Sequence, residues 1–139
     1  MKKTIALTLP RLCDESAVDY TLPYGIASIA AEIRHSSSDT HVIYSETLAE
    51  LLQADEVWCT GLTEAWNLVN ELGANVVNAG NFFYVGGHHV TALPETLKYG
   101  KAFAGSFGDV GNCDSAPLPA WDIFPDFAQK RSLIITSFG

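Results

Sequence analysis

The sequence predicts an α/β fold built on a mainly parallel five-stranded sheet, and two observations predict it. Short runs rich in β-branched and aromatic residues alternate with segments of helical period along most of the 139 residues. Small or glycine-rich turns then follow three of the strand-like runs, where a parallel sheet needs tight strand-to-helix connections.

Lys3 to Leu9 (KTIALTL) reads as a buried first strand. The long loop after it ends at Leu22-Pro23, and Pro23 suits the first turn of a helix. Ile26, Ile29, Ala30 and Ile33 share one face of that helix, and the polar SSSDT stretch after His35 ends it. His41 to Tyr44 is a second strand. Glu46 to Gln53 is a short helix, with Ser45 placed to cap it.

Glu56 to Thr60 (EVWCT) is the third strand. Ala65, Leu68, Val69, Leu72, Val76 and Ala79 then trace a helical stripe that runs through Gly73, with Thr63 as its N-cap and Gly80 as its C′ residue. Asn81 to Val85 is a fourth strand. A helix around Pro94 to Tyr99 and a fifth strand, Lys101 to Ala104, complete the pattern. Beyond residue 112 the chain is proline-rich and irregular and ends in an apolar run. The expected division is an α/β domain over 1–112 and a linker-like tail over 113–139.

Hydrophobic residues make up 47% of the chain and charged residues 17%, enough apolar material for a packed core. Sixteen acidic against eight basic residues leave a net charge of −8, which repels a phosphate backbone and argues against nucleic acid as a partner. No apolar run has the length of a membrane span, so no membrane partner is expected. The MKKTIALTLPR start has too short an apolar stretch for a signal peptide and reads as a strand. Cys13, Cys59 and Cys113 form neither a disulfide framework nor a zinc pattern, and they fit a reducing cytoplasm.

Function is expected at the carboxyl ends of the strands, where open parallel sheets bind their ligands. The chain places Pro23-Tyr24-Gly25 after strand one, Thr60-Gly61-Leu62-Thr63 after strand three, Gly86-Gly87-His88-His89 after strand four and Gly105-Ser106-Phe107-Gly108 after strand five. Glycine at such ends removes Cβ where a ligand approaches or where the chain turns tightly. Adjacent histidines on an extended segment point to opposite sides, so His88 and His89 are not expected to chelate one metal. No P-loop, G-x-S-x-G elbow or H-E-x-x-H motif is present.

In order, LPYGIASIAAEIR, TGLTEAWNLVNELGANVV, FFYVGGHHVTALPE, AGSFGD and the PLPAWDIFP and IITSFG tail resemble the N-terminal cobalamin-binding (vitamin B12-binding) domain of radical S-adenosylmethionine proteins. The resemblance implies a flavodoxin-like or Rossmann-like three-layer sandwich. It also implies a corrin resting near Thr60, Gly61, Leu62, Thr63, Gly86, Gly87 and His88, with Tyr24 at the neighbouring strand end. Gly105, Phe107 and Gly108 would lie on the nucleotide-tail side. The Asp-x-His-x-x-Gly motif through which other cobalamin domains supply an axial histidine is absent.

The family's three-cysteine cluster motif would begin just after Gly139, so no iron–sulfur cluster is expected within these residues. The chain on its own is expected to be non-catalytic. A radical-SAM barrel, in cis or in trans, is its implied partner. Two alternatives stand beside this reading. One is a degenerate, cofactor-free scaffold that docks such a barrel through Trp121, Phe124 and Phe127. The other is a flavodoxin-like binder of another ligand.

Overall fold

The structure, a computed structural model, describes residues 2–10, 24–61, 63–103 and 117–124. Five parallel strands form one sheet in the order β2-β1-β3-β4-β5: β1 Lys3–Thr8, β2 Thr40–Tyr44, β3 Glu56–Thr60, β4 Phe82–Gly86 and β5 Lys101–Ala102. The helices are α1 Tyr24–Ser36, α2 Leu48–Leu52, α3 Trp66–Asn78 and α4 His88–Ala92, with short 3₁₀ turns at Thr63–Ala65, Pro94–Thr96 and Trp121–Ile123. This is the expected three-layer α/β sandwich of the flavodoxin-like kind.

Two cores sandwich the sheet because successive side chains of a strand leave on opposite faces. On one face Ile5 and Leu7 of β1 and Val42 of β2 meet Ile26, Ala27, Ala30 and Ile33 of α1. On the other, Ala6, Val57, Cys59, Phe83 and Val85 meet Leu51 of α2, Trp66, Val69 and Val76 of α3, and Val90 of α4. Strand β1 is buried on both sides from Ile5 to Thr8, as a central parallel strand should be. The sandwich thus has α1 on one side and α2, α3 and α4 on the other.

Local chemistry explains the boundaries. Helix α3 runs as one piece through Gly73, and a Cβ at that position would stand 2.8 Å from the Phe83 ring and 3.1 Å from Tyr99. The glycine lets the helix lie close to β4, which outweighs its poor helix propensity of about 1 kcal/mol. Gly80 ends α3 at φ +85°, with its N–H bonded to the Val77 carbonyl (2.9 Å) and the Asn81 N–H to the Val76 carbonyl (3.1 Å). Ser45 does not cap α2, a helix shorter than its predicted span whose N-cap is Thr47; the Ser45 hydroxyl instead accepts the Thr47 N–H at 3.0 Å just ahead of it.

One expectation requires correction. The predicted helix around Pro94 to Tyr99 is instead α4, starting at His88, followed by the 3₁₀ turn Pro94–Thr96. The two histidines therefore stand on a helix, about 100° apart around its axis, and not on an extended strand. In the tail, residues 117–124 fold back against α1 and β2. Ala120 and Phe124 are 6% and 3% exposed within the α1 core, the Ala120 N–H reaches the Ala27 carbonyl at 2.9 Å, and the Phe124 ring packs edge-on to Tyr44 at 4.7 Å. Phe124 thus serves the domain's own core rather than a docking face. Phe127 lies outside the described residues.

Candidate functional site

The chain enters at β1, adds β2 on one side and then crosses to β3 on the other, so the strand order reverses between β1 and β3. A crevice beyond the carboxyl ends of the strands is the expected ligand position in such a sheet. The register sets Thr60, the last residue of β3, beside Gly86, the last of β4. Thr60, Gly61, Thr63, Gly86, Gly87 and His88 are thereby gathered at one edge, although they come from stretches about 25 residues apart.

Gly87 turns the chain from β4 into α4 with φ +104° and ψ −178°, a conformation open to glycine and strained for every other residue. A Cβ there would collide with the Thr60 hydroxyl oxygen. Gly86 is less confined, since a Cβ there would meet nothing nearer than the Phe103 carbonyl oxygen at 3.7 Å. The end of β4 thus carries no side chain of its own, and the space beside Gly87 is taken by the Thr60 hydroxyl.

Gly61 differs. A Cβ at Gly61 would run into Val69 and would touch the Trp66 ring, so the space beside this glycine is filled by α3. Its smallness serves the packing of α3 against β3, not ligand approach. This is the part of the rim where the residues do not offer the bare surface a flat ligand needs.

Thr63 does not cap α3 through its side chain, since the N-cap position is Ala65 and no side-chain cap bond forms. Its hydroxyl instead lies 3.0 Å from Nδ1 of His89. The other ring nitrogen, Nε2, lies 3.0 Å from the Thr96 hydroxyl, and the ring stacks on Trp66 with centroids 4.0 Å apart. Thr96 is held further by its backbone carbonyl, which accepts from Trp66 Nε1 (3.1 Å) and Asn70 Nδ2 (3.2 Å). Asn70 also accepts the Lys98 N–H at 3.0 Å. His88 faces solvent while His89 is half-buried in this network. Reading along the sequence set His88 and not His89 beside the ligand, and it did not identify the partners of His89, which lie 26 and 7 residues away.

Tyr24 opens α1, and its backbone alone is described. Leu62, Gly105, Phe107 and Gly108 lie outside the described residues. Among the described residues, no group of three His, Cys, Asp or Glu side chains could hold a metal ion, and no helix is long and apolar enough to cross a membrane. Burial raises the Cys59 thiol pKa far above its usual range and keeps it protonated, so it is no nucleophile. A separate open groove, lined by Ala31, Arg34, Pro117, Leu118 and Asp122, lies between α1 and the 117–124 segment, away from the strand ends.

Fold and edge together define a class, an open α/β sandwich with a glycine-rich rim at the carboxyl edge of its sheet. Comparison of the chain with protein families, curated proteins and solved structures finds no match.

Proposed function

We propose that the chain is a cobalamin-binding, or cobalamin-domain-like, module of a radical S-adenosylmethionine enzyme, and that it holds a corrin against the carboxyl ends of β3 and β4. The observation that carries this reading is the end of β4, where Gly86 has room for a methyl group and Gly87 adopts a left-handed backbone beside Thr60. Thr60, Gly86, Gly87 and His88 are the residues that would border the ligand. The corrin would supply the reactive cobalt, while the protein binds and orients it. The radical chemistry would require a barrel domain, in cis or in trans.

Mixing the purified chain with hydroxocobalamin, passing it through gel filtration and recording the spectrum of the protein peak tests the reading. Corrin absorbance that travels with the protein supports it. Absorbance left entirely in the small-molecule fraction overturns it.

A second reading, a cofactor-free member of the same fold class, draws on one specific observation. Gly61, expected to lie under the ligand, is instead covered by Val69 and Trp66 of the domain itself. Under this reading the spectrum shows no retained corrin. Docking would then need a face other than Phe124, which is committed to the core.

A further inference from the structure

We infer that His89, two residues beyond the glycine pair of the rim, is the positioning residue of that rim, and that the tautomer of its neutral ring carries the proton on Nε2. Hydrogen-bond inventory leads to the tautomer. The Thr96 hydroxyl has one proton, and it goes to the Leu93 carbonyl at 2.7 Å. Toward His89 the same oxygen can only accept, so Nε2 must carry the hydrogen across the 3.0 Å contact. Nδ1 of the neutral ring is then an acceptor and takes the Thr63 proton over 3.0 Å. The stack on Trp66 at 4.0 Å and 29° holds the ring plane in place.

Three pieces of chain meet at this one ring. Thr63 belongs to the turn that leaves β3, His89 to the helix that leaves β4, and Thr96 to the 3₁₀ turn beyond it. Trp66 and Asn70 of α3 clamp the Thr96 carbonyl from the other side. Gly86 and Gly87 have no side chains with which to fix themselves. The backbone of the rim is therefore set from His89, two residues past Gly87, and from the contacts that His89 makes. As far as a corrin is concerned, this inference rests on the reading above, but the tautomer and the clamp do not.

The test compares the wild-type chain with His89→Gln, whose amide can still donate from the Nε2 position, and His89→Phe, which keeps a ring on Trp66 without hydrogen bonds. Long-range ¹H–¹⁵N spectra of the wild type are expected to show the Nε2–H pattern, and the Nδ1–H pattern overturns the tautomer. Amide exchange at Thr96 and Leu97 is expected to quicken about tenfold or more in His89→Phe and to recover in part in His89→Gln, while Val57 and Val85 stay unchanged. Equal exchange in all three proteins, or no recovery with Gln, overturns the positioning role. Hydroxocobalamin retention by the wild type, read in parallel, judges the cofactor reading separately. Where it is retained, His89→Phe is expected to weaken it about tenfold, and unchanged retention overturns the link to the rim.

Discussion

The hydroxyl oxygen of Thr60 stands within collision distance of the position that a Cβ on Gly87 would take. Thr60 ends β3 and Gly87 follows the last residue of β4, 27 positions further on, yet each limits what the other can be. With φ at +104°, any side chain at Gly87 faces both backbone strain and a collision with Thr60.

Gly87→Val should therefore destabilise the fold itself, by about 1–3 kcal/mol. Gly86→Ala, whose new methyl has room, should cost less than about 1 kcal/mol. Urea unfolding of the two variants checks this, and equal losses would show that the left-handed turn does not matter.

Gly73→Ala tests why a helix tolerates a glycine at its centre. Propensity favours alanine by about 1 kcal/mol, but the added methyl meets the Phe83 ring. A net loss of stability is expected in the wild-type background. In a Phe83→Leu background, where the ring edge is gone, the same change should become neutral or stabilising. A double-mutant cycle by chemical denaturation measures the coupling.

Cys59 should resist thiol reagents in the native state. Burial holds its sulfur protonated, and only unfolding exposes it. In a Cys13→Ser, Cys113→Ser background, labelling at pH 8 should be at least a hundredfold slower than in denaturant. Rapid native labelling would show that the second core layer is open.

These predictions separate what was legible along the chain from what was not. Strand β3 has the bounds its β-branched run implied, and α3 spans Gly73 because its apolar stripe does. Helix α4 escaped notice because five residues carry too little period to read, and because Phe82 to Val85 made the following histidines look like more strand. The roles of Gly61, Thr63 and His89 are tertiary. Gly61 is small for the sake of Val69 and Trp66, and Thr63 turns from its own helix to a histidine 26 residues away. No local pattern encodes either contact.

Attachment of the 117–124 segment should depend weakly on pH. Asp122 has its pKa lowered, chiefly by the hydrogen bond from Arg34, whose Nη1 lies 3.0 Å from Oδ1. A carboxylate with a depressed folded-state pKa adds stability above its unfolded value, near 3.9, and loses it as pH falls through the folded value. Both side chains are largely exposed, so the effect should not exceed about 0.5 kcal/mol. Asp122→Asn should flatten this part of the stability–pH curve below about pH 4. A variant curve parallel to the wild type throughout would remove the ion pair from the account.

Backbone amide shift mapping during a hydroxocobalamin titration tests the central claim most directly. The account predicts changes concentrated at Thr60, Gly86, Gly87 and His88, with the far ends of β3 and β4 at Glu56 and Phe82 unmoved. Absence of any shift, or shifts gathered in the groove beside Arg34 and Leu118, would contradict it.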